Sequence, residues 1–568
     1  MLRDYRSGGS SPVRLSSAYP ALVFAVIFVF IFLLHAPLLR LPYFWDEGGY
    51  YVPAARDLLF TGSLIPQSTV SNAHPPLVMA WLALWWKVVG YAPLVTRTAM
   101  LVVAAFSLLG VFRLAERVAN TNVAIASTLC TALYPVFFAQ SSLAQVDLAA
   151  AGLIFWGLAA YVEGETIATT FWFALAALAK ETAILAPMAL AAWEILGLLA
   201  GKISLSKLWI KNEDRESTAG SVRRIASLLI PAMPLAAWYA YHYARTGYAF
   251  GNPEFFRYNV AATLSFTRFL FALAMRLWQI SGYLHLWVLT LAMLVAMCLL
   301  PPRRDPTGER PRISLPLQMV CYVVMLAYAV AMALIGGAGL ARYMLPAVPL
   351  VIIVSVSTLW RRLHYWLTAV ACVAIAFVLA WFWNPPYGFS LEDNLAYRNY
   401  IVLHEDSELF LEARYPMARV LTAWPASDEI TRPWLGYITR PMRVVRIENF
   451  SLDEVLSAAA SQSNYQVALV FSTKYEPGPA EWDRWRTWTE LKTRFFGFHR
   501  DLPPAAVAQI LGGHIVFSEQ RPGQWVAVIE MERMEEASGF PLSWDLLQAE
   551  RGSPYEPGLA NVCRFSQQ

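Results

Sequence analysis

The chain has 568 residues, of which 57% are hydrophobic and only 15% charged, with 22 tryptophans and a formal net charge of +4. An ordinary soluble domain carries about a quarter charged residues, so these proportions exclude one and make the lipid bilayer part of the solvent. No nucleic-acid partner is expected.

The first apolar tract, Ala18 to Leu39, contains no Lys, Arg, Asp or Glu and supplies the roughly 20 residues that a spanning helix needs. No small-x-small cleavage pattern follows Arg40, so the tract is read as a retained span and not as a signal peptide. Basic residues in short loops set orientation. They gather at Arg3, Arg6 and Arg14; at Arg113 and Arg117; at Lys202, Lys207, Lys211, Arg215, Arg223 and Arg224; at Arg303, Arg304, Arg310 and Arg312; and at Arg361 and Arg362. With all of these on the cytoplasmic side, apolar spans alternate with centres near residues 29, 104, 131, 155, 174, 192, 235, 292, 325, 352 and 375. The reading is a polytopic α-helical membrane protein of about eleven transmembrane helices, N-terminus inside, with residues 1–384 as its membrane domain. Lys180-Glu181 splits one long apolar stretch, Thr169 to Leu199, into two of these spans.

An odd number of spans places the tail outside. From about Pro385 the sequence becomes charged and rich in Trp and Pro, so residues 385–568 are read as a soluble extracytoplasmic α/β domain. Gln466 to Ser472 (QVALVFS) and Trp525 to Glu530 (WVAVIE) are predicted strands, and Leu452 to Ala460 a predicted helix. Of five cysteines, Cys130, Cys298, Cys321 and Cys372 fall in spans and Cys563 is alone in the outer domain, so the framework does not depend on a disulfide. The sequence contains no P-loop, dinucleotide fingerprint or zinc-ligand spacing.

Chemistry-bearing residues collect in the loops assigned to the outer face. After the first span comes Phe44-Trp45-Asp46-Glu47-Gly48-Gly49-Tyr50-Tyr51. Adjacent carboxylates point to different sides of a helix, so Asp46 and Glu47 are not expected to share one task. Asp46 is either the N-cap of a helix running to Phe60 and stopped by Gly62, or a general base facing a cavity at the membrane surface. His74-Pro75-Pro76-Leu77 precedes a short Trp-rich stretch to Val89 that suits an interfacial helix; the prolines hold His74 in a fixed place, whether for a ligand or merely for a turn. Asp147 follows the span centred near 131 and is either a helix cap or, as an ionisable residue at the edge of an apolar tract, a functional group. In Gly336-Gly337-Ala338-Gly339-Leu340-Ala341-Arg342-Tyr343 a small-residue loop ends in one Arg. Its planar fork suits a phosphate, and a snorkelling interfacial Arg is the plainer alternative.

In combination, Asp-Glu in the first outer loop, His-Pro-Pro-Leu before an interfacial helix, Asp after the third span and Arg-Tyr-hydrophobic-Leu-Pro in a late loop resemble the GT-C glycosyltransferases. The nearest likeness is to protein O-mannosyltransferases and to the bacterial transferases that decorate lipid A with aminoarabinose. It covers about residues 15 to 384 and is strongest over 40 to 160. The resemblance implies inverting transfer of a sugar from a polyprenyl-phosphate donor to an acceptor hydroxyl of protein, lipid or envelope glycan at the outer face of the cytoplasmic (inner) membrane. It implies Asp46 as base with Glu47 beside it, Asp147 as a second acidic group orienting a substrate, and Arg342 with Tyr343 at the lipid phosphate. His74 matches the His of the mannosyltransferases where the aminoarabinose enzymes carry Lys, and Lys180 matches a Lys common in bacterial members.

Short cytoplasmic loops and compact length favour a bacterial member using undecaprenyl phosphate. The outer domain resembles no mannosyltransferase module, which leaves the acceptor unassigned. Metal dependence varies across the family; the His and Asp spacing assigns no metal ligand and no cofactor, and a divalent cation is compatible. A secondary transporter should instead show similar halves and midplane charges in broken helices. A non-catalytic envelope-assembly protein gives no reason for acids, His and Arg to share one face.

Overall fold

The computed structural model describes residues 18–200, 218–251, 265–306, 308–335, 339–461, 464–477, 485, 490–491, 493–494 and 501–532. Arg3, Arg6, Arg14, Lys202, Lys207, Lys211, Arg215, Gly336, Gly337, Ala338 and Cys563 lie outside them.

The described chain is mainly helical. Among the described residues, six apolar helical stretches are long enough to cross a membrane: Tyr19–Leu38, Pro93–Val118, Val146–Glu163, Glu181–Leu199, Leu315–Ile335, and Phe266–Leu299, which Leu284 at φ 44° breaks into Phe266–Ser281 and Leu286–Leu299. This is the build of a multi-pass membrane protein. Each of the eleven expected centres falls in a helix, but those near 131, 174, 235, 352 and 375 lie in Thr121–Leu133, Thr166–Ala179, Ala232–Thr246, Val348–Arg362 and Trp366–Phe382. At about 1.5 Å per residue these helices reach roughly 20–26 Å, less than a 30 Å hydrocarbon core, so length alone does not make them spans. Local sequence explains several interruptions. Pro135 starts a new helix after Leu133, Lys180 is extended at φ −153° between Thr166–Ala179 and the turn Glu181–Ile184, and Pro231 separates Thr218–Leu229 from Ala232–Thr246.

Helices Phe266–Ser281 and Ala396–Arg414 are not among the elements expected from sequence; the first lies between two expected spans. Arg268, Arg276 and Gln279 interrupt the apolar run of Phe266–Ser281, and in the structure all three side chains are buried.

The chain beyond Pro385 forms a five-stranded mixed sheet in the order Arg443–Ile447, Arg419–Ala423, Val467–Phe471, Gln524–Met531, Gly513–Arg521. The first three strands run parallel, as expected where helices such as Leu452–Ala459 make the crossovers, and the last two join as an antiparallel hairpin. Val467–Phe471 is buried along its whole length, which accounts for its unbroken apolar sequence. Helix Ala396–Arg414 packs on the hairpin.

This sheet unit braces the loop that carries Asp46. Tyr400 meets Phe44 and Trp45 with ring centroids 5.4 and 5.5 Å apart, and Trp424 meets Trp45 at 5.1 Å. Tyr43 N donates to Leu435 O at 3.1 Å, and Tyr91 Oη to Trp434 O at 2.8 Å. Trp424 lies so close to the loop that a Cβ on Gly49 would sit 3.0 Å from its ring. A larger residue there would have to push the Trp424 ring aside by a few tenths of an ångström.

Candidate active site

The loop after the helix Tyr19–Leu38 leads into a π-helical turn, Glu47–Tyr51, and then the helix Val52–Thr61, which Gly62 ends at φ 71°. The wide turn is the kind of irregularity that often marks a functional site. Trp45 precedes Asp46 at φ 47°, and Ala73 precedes His74 at φ 58°. Left-handed backbone is unfavourable for residues with a Cβ, so both conformations are imposed from outside: Trp45 by Tyr400 and Trp424, Ala73 by the Trp238 indole, which donates to its carbonyl at 2.9 Å.

Asp46 makes no capping hydrogen bond. Its Oδ2 accepts from Arg342 Nη2 at 2.5 Å. Arg342 follows Leu340 in the short turn Ala341–Met344 and is 3% exposed, which removes the snorkelling reading. Its Nη1 donates to Glu392 Oε2 at 2.5 Å and to Gln145 Oε1, and its Nε lies 3.4 Å from Asp147 Oδ2. Asp147 stands in the first turn of Val146–Glu163 without capping it; its Oδ1 accepts instead from Lys180 Nζ at 2.5 Å. Gln145 Nε2 closes the network by donating to Glu392 Oε2 at 2.7 Å. Burial works against the Arg342 charge, but Glu392, Asp46 and Asp147 outweigh it and hold its pKa well above the ordinary value. Burial likewise pushes the Glu392 carboxyl up, opposed by Arg342. Beside it burial raises Asp393 to about 8, so this second acid is largely protonated at neutral pH, with Tyr283 Oη 2.6 Å from its Oδ2.

His74 forms the neighbouring pair. Its Nδ1 lies 2.7 Å from Glu181 Oε2, and its ring stacks at 5.8 Å on Tyr51. Tyr343 lies under both cations, its ring centroid 4.3 Å from Lys180 Nζ and 5.8 Å from the Arg342 guanidinium carbon. A cavity lined by Tyr50, Tyr51, Ser71, His74, Met79 and Trp238 opens beside this group.

Glu47 turns away from Arg342. It is fully buried, accepts from Phe44 N at 2.6 Å and Ala144 N at 2.7 Å, and forms a two-pronged pair with Arg97 at 2.7 and 2.9 Å. Arg97 also donates to Pro42 O and Ser142 O. Glu47 thus ties the Asp46 loop to the segment before Asp147.

Asp46, Asp147, Lys180, Arg342 and Tyr343 therefore meet in one cluster, His74 flanks it through Glu181, and Glu47 lies behind it. Sequence reasoning missed Glu392, Gln145, Glu181 and Arg97. Glu181 and Arg97 carried the signal applied to Asp147, an ionisable residue in an apolar tract; Gln145 and Glu392, the latter in the charged stretch beyond Pro385, carried none. Asp46, Asp147 and Glu392 are each held by Arg342, and Asp147 also by Lys180.

No protein-family model matches the sequence, and no curated protein matches it either. Among solved structures, the chain is similar to apo ArnT, an aminoarabinose transferase, from Cupriavidus metallidurans, with a TM-score of 0.50 and 14% identity over 90% of this chain and 98% of that one. The same protein bound to undecaprenyl phosphate gives 0.49 and 13%, over 90% and 97%. The Archaeoglobus fulgidus oligosaccharyltransferase in complex with Zn and sulfate gives 0.43 and 12%, over 79% and 67%. The chain has the GT-C fold. At 14% identity the likeness extends to the GT-C fold alone, and the chemistry of this site rests on its own geometry.

Proposed function

We propose that the protein is an inverting glycosyltransferase that moves a sugar from a polyprenyl-phosphate donor to an acceptor hydroxyl at the outer face of the cytoplasmic membrane. The supporting observation is the convergence of Asp46, Asp147 and Glu392 on the buried guanidinium of Arg342, from positions up to 296 residues away from it. Buried charge at a membrane rim is costly and is expected where it serves a reaction. The fold likeness to ArnT supports a lipid-linked donor.

In this reading Asp46 takes the proton of the acceptor hydroxyl as its oxygen attacks the anomeric carbon. The bond from that carbon to the phosphate oxygen breaks on the opposite side, which inverts the centre, and the lipid phosphate leaves with the bonding electrons. Protonation removes the negative charge from Asp46 and loosens its hold on Arg342 Nη2. That donor then becomes available as negative charge grows on the phosphate, so proton transfer and leaving-group stabilisation are linked through one guanidinium. Lys180 and Tyr343 complete the phosphate side. Asp147 and Glu392 keep Arg342 aimed, Glu47 positions the loop, and His74, held by Glu181, contacts the sugar or the acceptor. Undecaprenyl phosphate is the donor lipid expected of a bacterial enzyme.

Arg342→Lys retains charge but loses the fork, and Arg342→Ala loses both. Activity with a defined polyprenyl-phosphate sugar in detergent should therefore fall in the order Arg, Lys, Ala, with part of the loss in kcat. Wild-type kcat and donor affinity in Arg342→Lys would sink the phosphate role.

The same reading requires the loop of Asp46 and the sheet unit to lie outside. In a background without exposed cysteines, Gln67→Cys and Gln520→Cys should react with a membrane-impermeant thiol reagent on intact cells, while Glu309→Cys should not. All three positions are exposed. Labelling of Gln67→Cys and Gln520→Cys from opposite sides would exclude it.

A further inference from the structure

A second cluster lies inside the sheet unit. His404 and Glu408 are four residues apart on Ala396–Arg414 and so share one helical face. Glu429 ends the short helix Ala426–Glu429, which follows strand Arg419–Ala423 and Trp424. His404 Nδ1 lies 2.6 Å from Glu429 Oε2 and 3.7 Å from Glu408 Oε1, and all three residues are at most 2% exposed. Among the described residues no Lys or Arg pairs with either Glu. With both carboxyls ionised, both oxygens of Glu408 and Oε1 of Glu429 are buried without a hydrogen-bond donor, and the hydroxyls of Ser427 and Tyr400 are buried without a partner. Two adjacent buried carboxylates are costly unless something positive is placed between them.

We propose that His404, Glu408 and Glu429 bind a structural divalent transition-metal ion, zinc by preference. One imidazole nitrogen and carboxylate oxygens suit Zn²⁺. The ligand atoms lie within 4.8 Å of one another, so bonds of about 2.0–2.2 Å need only small side-chain adjustments. Nδ1 is the nitrogen facing the carboxylates, and the neutral ring then carries its proton on Nε2. The ion joins the helix bearing His404 to the segment after Trp424. Tyr400, stacked on His404 at 4.0 Å, and Trp424 are the aromatic rings that brace Trp45 beside Asp46. The metal therefore stiffens the support of the Asp46 loop from a distance and touches no substrate. A proton shared between Glu408 and Glu429 is the alternative way to make them compatible.

The test uses full-length protein purified in detergent, stripped with EDTA and titrated with Zn²⁺, with metal content and Tm as readouts. One equivalent should be retained through gel filtration and should raise Tm. Glu408→Gln should lose that equivalent and its zinc-dependent Tm shift, while Asp46→Asn keeps both. A shared proton predicts otherwise: Glu408→Gln, which mimics the protonated acid, would match the EDTA-treated wild type in Tm, and zinc would change neither. That result, or uptake abolished by Asp46→Asn and unaffected by Glu408→Gln, would overturn the site. If Glu408→Gln does not fold, X-ray absorption of Co²⁺-loaded wild type decides, imidazole plus carboxylate coordination supporting the proposal and oxygen-only or absent coordination refuting it.

Discussion

Asp46→Asn is expected to lower sugar transfer by about 100-fold or more, the usual scale for a positioned general base, and to leave folded protein in the membrane. Three carboxylates surround Arg342, and exposure distinguishes them: the Asp46 side chain is 21% exposed, against 4% for both Asp147 and Glu392. Asp46 is thus the acid that a water-borne acceptor can reach. Its Oδ2 is held by Arg342, while Oδ1 has no donor among the described residues. Asn keeps the shape and still accepts a hydrogen bond from Arg342, but its amide cannot take a proton at neutral pH. The measurement is kcat with a defined polyprenyl-phosphate sugar, alongside Tm in detergent. Near wild-type turnover would reduce Asp46 to a structural partner of Arg342.

Removing Arg97 should act on stability and not on a chemical step. Arg97 and Glu47 are 1% and 0% exposed, and each makes further hydrogen bonds to the backbone around Pro42, Phe44, Ser142 and Ala144. Breaking a buried pair from one side leaves the other charge without compensation and typically costs about 3–5 kcal/mol. Arg97→Met should therefore unfold at much lower temperature or fail to accumulate. Adding Glu47→Gln should recover part of the loss, because no buried charge is then left alone. A wild-type Tm for Arg97→Met would contradict the clamp, as would a double variant no more stable than the single. Recovery of folded protein without recovery of full transfer is expected if the clamp also sets the direction of Asp46.

Much of the helical framework was legible in the sequence. The apolar tracts, the break at Lys180-Glu181, the stop at Gly62 and the strands in QVALVFS and WVAVIE are local properties, carried by hydropathy, backbone restriction and side-chain period. The helix Phe266–Ser281 escaped because its buried Arg and Gln side chains lower local apolarity, and their burial depends on neighbours elsewhere in the chain. At the candidate site, sequence identified residue types that are costly near a membrane, namely Asp46, His74, Asp147, Lys180 and Arg342. It left Asp46, His74, Asp147 and Arg342 each open between a cap, a turn or a snorkelling charge and a functional role, and reached Lys180 only through the family resemblance. The tertiary structure decided which partners they meet: Asp46 joins Arg342 where a cap was the alternative, Asp147 joins Lys180 and Arg342, Glu47 turns away to Arg97, and Glu392 enters the cluster. Hydropathy and periodicity are read over a few turns of chain, whereas an ion pair such as Asp46 with Arg342 spans 296 residues and exists only once the helices have packed.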